Sequence, residues 1–158
     1  MTKWLGLSAL VILLDQLTKL IAVNSLALYE SIAIFPGFNL TLLYNTGAAF
    51  SFLSNAGGWQ RWFFIGLAML ISLFIVFWMR SLKKDNYWLL VALALVLGGA
   101  IGNVIDRIYL GYVIDFIDIY YQTNHWPAFN IADSSITIGA IMLIIDAIWL
   151  NQPAKDVS

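Results

Sequence analysis

The chain has 158 residues and a net charge of −1, with 61% hydrophobic and only 11% charged residues, against roughly 25% charged in an ordinary soluble domain. A globule this small needs far more polar surface, so the composition excludes a soluble enzyme and a disordered regulator; 8 basic against 9 acidic residues leave no footprint for a nucleic acid. The absence of cysteine removes disulfides and thiolate chemistry, and the one histidine, His125, does not make a His-rich metal site.

What remains is an α-helical integral membrane protein, read as one domain over residues 1–158, with spans drawn from runs of about 20 mostly apolar residues. The first span, about 4–23, carries Asp15 and Lys19 four residues apart, on one helical face where they can pair. An ionisable group in a bilayer is costly and points to a function or a named partner. A structural ion pair and a direct substrate contact both stay open here. The apolar run breaks at Asp15 and no small-x-small cleavage site follows, so this span is expected to be retained rather than removed as a signal peptide.

An outer segment follows, about 24–60. After a Pro36-Gly37 turn, Phe38, Leu40, Leu42 and Tyr44 alternate with Asn39, Thr41, Leu43 and Asn45. This period-2 pattern, imperfect at Leu43, predicts a short antiparallel sheet resting on the outer membrane surface. The second span, about 61–80, contains 18 uncharged residues from Trp62 to Met79, with its aromatic residues facing lipid. The third, about 87–106, ends in GGAIGNVIDR. Gly98 and Gly102 form a small-xxx-small pair that lets a neighbouring helix approach closely. Asn103, Asp106 and Arg107 come next and are expected on one face near the outer end. They suit a structural network, or Arg107 can hold a backbone carbonyl or a lipid headgroup oxygen.

The second outer segment, about 106–132, is rich in Tyr, Ile and Val from Tyr109 to Tyr120 and is expected to add a strand. Asp118 and Glu30 are expected to be solvated, and His125 to lie in a loop. The fourth span, about 133–150, starts at Asp133 and holds Asp146 about 20 Å further along, toward the inner end. Lys3, Arg80, Lys83, Lys84 and Lys155 fall on the terminal side or in the loop between the second and third spans, and only Arg61 and Arg107 at the other face. The positive-inside rule then places both termini in the cytoplasm and the two longer segments outside.

Two carboxylates remain. Asp115 in GYVIDF and Asp133 in FNIADSSI fall at one depth, at the outer surface. Asp133 begins an apolar helix, where it can serve as N-cap, as can Ser134 or Asn130. Within hydrogen-bond reach of each other, Asp115 and Asp133 would share one proton, the minimum apparatus for hydrolysing a peptide bond without metal, serine or cysteine. Spacing alone leaves other pairings open, including Asp106 with Asp115 or Asp118.

DQLTK (Asp15 to Lys19), YNTGAAF (Tyr44 to Phe50), GGAIGNVIDR (Gly98 to Arg107), GYVIDF (Gly111 to Phe116) and FNIADSSI (Phe129 to Ile136) occur in this order. Together they resemble the motif set of bacterial lipoprotein signal peptidase, also called signal peptidase II, from the first span to the last. The resemblance implies a membrane aspartyl endopeptidase of the bacterial inner membrane. Its substrates are diacylglyceryl-modified prolipoproteins, cut just before the lipidated cysteine. It implies Asp115 and Asp133 as the catalytic pair, with Asp15, Lys19, Asn45, Gly47, Asn103, Asp106, Arg107 and Asn130 as support or substrate contacts. It also implies an outer β-sheet cradle, a short outer helix within about 51–60, no cofactor, and membrane lipids as partners; nothing requires more than a monomer. Tyr112 stands where many relatives have histidine, and the 120–128 loop is variable, so fine substrate preference is not carried over.

Two rival readings are a small ion-coupled transporter or channel subunit, supported by the charged first span, and a non-catalytic factor that only binds lipidated partners. A transporter needs a polar track across the membrane, whereas here the polar residues gather at one face and only Asp146 continues inward.

Overall fold

The computed structural model describes residues 1–47 and 57–150. Four helices, α1 (Thr2–Ser25), α2 (Trp59–Ser81), α3 (Tyr87–Tyr109) and α4 (Ile131–Ile145), are joined to a small antiparallel sheet, and α4 runs on as a π-helical turn over Asp146–Leu150. All four are long and apolar enough to cross a membrane. α1 and α2 run one or two residues beyond the expected spans at each end, α3 runs on to Tyr109, and α4 starts two residues early, at Ile131. The short outer helix expected within about 51–60 falls for the most part outside the described residues; Trp59 and Gln60 already belong to α2.

α3 is the central helix: most of its apolar stretch is buried in the protein, against less than a third in the other three. Lipid tails are as apolar as leucine, so close packing rather than transfer from water holds such helices together. The glycines of GGAIG make that packing possible. A Cβ on Gly98 would lie 2.8 Å from the carbonyl oxygen of Ser8 on α1, and one on Gly102 would lie 2.8 Å from Oδ2 of Asp15. Gly99 meets the backbone of α4 at Ala132 in the same way. α3 thus touches α1 and α4 through neighbouring small residues, and meets α2 through Ile75, Met79, Leu90, Leu93 and Leu97. Trp62, Phe63, Phe74 and Phe77 of α2 stay on the outside of the bundle.

The sheet has strands β1 (Ser31–Phe35), β2 (Phe38–Asn45), β3 (Val113–Tyr121) and β4 (Asn124–His125), in that order and antiparallel throughout. The β1–β2 hairpin turns at Pro36-Gly37, with Gly37 at φ 92°, a conformation glycine adopts without strain. β3 starts at Val113, because Tyr109 still closes α3 and the chain turns at Gly111. Leu42, Ile114 and Phe116 pack the sheet onto Ala22 and Leu26 at the end of α1.

The simple alternation expected along β2 does not hold. Asn39 and Thr41 are buried together with Leu42. A bulge between Leu40 and Leu43 sets an extra β2 residue against β3, which exchanges the two faces. Asn39 therefore pairs with Asp118, while beyond the bulge Leu42 turns to the core and Asn45 turns toward Asp115.

Candidate active site

The site is assembled at the end of the bundle that carries the sheet, where α4 begins. Asn130 is the N-cap of α4: its side-chain oxygen accepts from the Asp133 backbone N–H at 2.9 Å, and Asp133 Oδ2 accepts from the Asn130 backbone N–H at 3.3 Å. This reciprocal cap satisfies two otherwise unpaired donors. It makes Asp133 the third residue of the helix, and the cap itself falls to Asn130 rather than to Asp133 or Ser134. The nitrogen of the same Asn130 side chain donates to Asp115 Oδ1 at 2.8 Å and to the Ile114 carbonyl at 3.1 Å. One fully buried asparagine thus touches both carboxylates.

Both carboxylates line one cavity of about 700 Å³, together with Asn45, Asn103, Arg107, Val113 and Trp126. Their remaining oxygens are also bonded. Asp115 Oδ2 accepts from Asn45 Nδ2 at 3.0 Å, and Asp133 Oδ1 accepts from Asn103 Nδ2 at 2.8 Å. Asp115 is only 3% exposed. Burial, and then the negative charge of Asp133, push its carboxyl up to about 7; the hydrogen bond from Asn45, the charge of Lys19 and the hydrogen bond from Asn130 act the other way. A carboxyl that holds a proton near neutral pH beside a second carboxyl can give and take protons, which is the chemistry general acid–base catalysis requires.

Behind this pair lies a buried ionic platform. Lys19 Nζ is 2.8 Å from Asp15 Oδ2, 2.8 Å from Asp106 Oδ2 and 3.0 Å from Asn103 Oδ1. Asp15 Oδ1 accepts from the Ala132 N–H at 2.9 Å, so α1 caps the start of α4 from outside the helix. Asp106 accepts from the Ile114 N–H at 3.2 Å, which fixes the residue before Asp115. Asp15, Lys19 and Asp106 are 0%, 2% and 3% exposed and do not belong to the cavity wall. Gln16 joins them, donating to Asp106 at 2.8 Å and to the Gly102 carbonyl at 3.3 Å. Nothing in the sequence pattern singles Gln16 out, beyond its place inside DQLTK next to Asp15.

Asp106 and Arg107 do not share a face. Asp106 turns inward to Lys19, while Arg107 turns to the cavity, donates to the Gly47 carbonyl at 2.9 Å and lies over the Phe64 ring at 5.3 Å. Gly47 in turn donates its N–H to Asn45 Oδ1 at 3.0 Å. All ten residues proposed from the sequence therefore meet in one constellation. Asp118 and His125 were expected in solvent and in a loop, and both differ. Asp118 is 7% exposed and bonded to Asn39 and His125, because the β2–β3–β4 pairing encloses it. Among the described residues, no group of three or more His, Asp or Glu side chains converges as metal ligands would.

Comparison with known proteins agrees with this architecture. The family model described as "Signal peptidase (SPase) II" matches residues 7–149. A lipoprotein signal peptidase of Acinetobacter baumannii is 58% identical over 149 residues, covering 94% of this chain and 85% of that protein. One from Pseudomonas fluorescens is 54% identical over 157 residues, covering 98% and 92%. A bacterial membrane enzyme solved by the in meso method at 2.3 Å resolution superposes with a TM-score of 0.85 at 34% identity, covering 100% of this chain and 96% of that one. The chain is a multi-pass membrane protein that belongs to the signal peptidase II family.

Proposed function

We propose that this protein is an aspartic endopeptidase that removes the signal peptide from diacylglyceryl-modified prolipoproteins, with Asp115 and Asp133 as its catalytic pair. The observation that carries the reading is Asn130, which donates its side-chain amide to the Asp115 carboxylate and its backbone N–H to the Asp133 carboxylate on the wall of one cavity. The names and family of the relatives supply the substrate class.

The pair carries one proton at neutral pH. The ionised member takes a proton from water, whose oxygen attacks the scissile carbonyl carbon. The protonated member gives its proton to the carbonyl oxygen. The tetrahedral diol then collapses: the C–N bond breaks, the amine nitrogen takes a proton, and the pair regains its single proton. The titration belongs to the pair rather than to either member. Asn45, Asn103 and Asn130 spend their amide donors on the carboxylates and hold them still. Arg107, whose Nη1 bond to the Asn103 carbonyl is long at 3.4 Å, has donor capacity for a substrate carbonyl.

The substrate is itself a lipid-anchored helix. A cavity at the bundle's outer end lets its acyl chains stay in lipid while the scissile segment unwinds and exposes its amide. Both termini lie in the cytoplasm and the cavity outside, a reading supported by Lys3, Arg80, Lys83 and Lys84 at the opposite end. The protein works as a monomer in the lipid of the inner membrane.

The test is incubation of the purified protein with a diacylglyceryl-modified precursor. Wild type is expected to cut it, while Asp115→Asn and Asp133→Asn remain folded by circular dichroism and cut nothing. Full activity in either variant refutes the assignment.

A further inference from the structure

We propose that Asp118 is a positioning residue for substrate binding: by tying β2 to β4 through Asn39 and His125, it holds Trp126 and Pro127 in place as part of the wall of the cleft that contains the two carboxylates. The inference rests on the cleavage reading above and adds to it a group that lies outside the constellation already described.

Strand geometry separates the two aspartates of β3. Side chains alternate along a strand, so Asp115 and Ile119 share one face and Asp118 and Tyr120 the other. Asp115 and Ile119 line the cavity, whereas Asp118 faces away from it. On that reverse face Asp118 Oδ2 accepts from Asn39 Nδ2 at 2.7 Å, and His125 Nδ1 lies 2.9 Å from Oδ1 and 3.0 Å from Oδ2. The His125 ring also stacks on Tyr120 with centroids 5.0 Å apart. A buried carboxylate is costly unless its lone pairs are bonded. Here the bonds come from two different strands, and Asp118 clamps them together.

The consequence lies one residue further on. Trp126 follows His125 directly, and its backbone N–H donates to the Ile119 carbonyl at 2.8 Å. With extended backbone there, fixing the His125 side chain on the reverse face sends the Trp126 side chain to the cleft face, where it and Pro127 line the cavity. β4 is only two residues long. Two ladder residues alone hold such a strand weakly, so the clamp supplies what pairing lacks.

The test measures kcat and KM for the lipidated precursor with wild type, His125→Ala, His125→Asn, Trp126→Ala and the double variant His125→Ala/Trp126→Ala. Removing the Asp118 carboxylate endangers the fold, whereas His125 is half-exposed and its truncation leaves Asp118 bonded to Asn39. His125→Ala is expected to raise KM about fivefold with kcat within about twofold of wild type. His125→Asn recovers most of that loss, because its amide nitrogen donates from near the position of Nδ1. The double variant is expected to be no worse than Trp126→Ala, since both act through one wall. An unchanged KM in His125→Ala, a loss carried by kcat, or additive effects in the double variant would overturn the inference while the cleavage reading stands. A wild type that does not cleave the precursor overturns both.

Discussion

Lys19 and Asn103 meet at 3.0 Å, and the direction of that bond decides what Asp133 encounters. An ammonium can only donate, so the Asn103 oxygen turns to Lys19 and its nitrogen turns to Asp133 at 2.8 Å. The same ammonium is shared by the carboxylates of Asp15 and Asp106, each buried and each holding a backbone N–H next to a carboxylate of the pair. The ion pairing and the aim of the site thus run through one side chain.

Two substitutions separate those tasks. Lys19→Met leaves two buried carboxylates without their cation and is expected to cost about 3–5 kcal/mol of stability, along with all cleavage. Asn103→Asp keeps an acceptor for Lys19 but gives Asp133 no donor and adds a charge beside the pair. It is expected to lower kcat by about 100-fold with a much smaller loss of Tm. Thermal unfolding in detergent, read beside kcat on the lipidated precursor, checks both.

The elevated Asp115 carboxyl predicts an alkaline limit to activity. Burial and Asp133 raise it from the ordinary carboxylate range to about 7, so the shared proton is lost as pH rises through that region, and kcat/KM is expected to fall there. The Asn45 hydrogen bond favours the ionised form, so Asn45→Ala is expected to move the alkaline limb to higher pH. Stability follows the same sign. The folded state binds this proton more tightly than the unfolded chain does, so the contribution of Asp115 becomes less favourable as pH rises from about 4 toward 7. Asp115→Asn is therefore expected to gain stability relative to wild type across that window, read by unfolding at pH 4, 6 and 8.

Gly102 carries a sharper steric prediction. A Cβ there would sit 2.8 Å from Asp15 Oδ2 and 3.3 Å from its Cγ, and Asp15 cannot retreat because Lys19 and the Ala132 N–H hold it. Gly102→Ala is expected to displace the start of α4 and with it Asp133, lowering kcat/KM by about 100-fold, the scale of an ångström-sized misplacement. Gly66→Ala on α2, where nothing lies within 4 Å of the new methyl group, is the matched control and is expected to cleave at the wild-type rate. Equal rates for the two variants would show that Asp15 does not set the position of α4.

The contrast between these residues explains what the sequence made legible. The pairing of Asp15 with Lys19 follows from helical period alone, and the close packing at Gly98 and Gly102 from small residues four apart. The meeting of Asn45 with Asp115 does not, since it needs the bulge in β2, and one extra residue reverses every face beyond it. The burial of Asp118 and the strand pairing of His125 are not legible for a related reason: burial of a polar side chain in a sheet depends on which strands pair, not on local composition. Asp106 and Arg107 diverge because adjacent helical residues lie about 100° apart, so one turns to Lys19 and the other to the cavity. The family motifs mark Asp115 and Asp133 as candidates. That Asn130 bonds to both, and that Gln16 completes the platform, depends on side-chain geometry that spacing does not contain.

Arg107 links the cavity wall to the pH behaviour. Its Nη2 holds the Gly47 carbonyl at 2.9 Å, Gly47 donates to Asn45 Oδ1 at 3.0 Å, and Asn45 donates to Asp115 at 3.0 Å. A lysine can supply the charge but not a planar fork that reaches Gly47 while stacking on Phe64. Arg107→Lys is expected to loosen Gly47, weaken the Asn45 bond to Asp115 and shift the alkaline limb upward in the same direction as Asn45→Ala. Because the two substitutions act along one chain of bonds, Arg107→Lys/Asn45→Ala is expected to place the limb where Asn45→Ala alone places it. The pH profile of kcat/KM for the three variants checks this. A limb that moves further in the double variant would mean that Arg107 acts on Asp115 by a route other than Gly47 and Asn45.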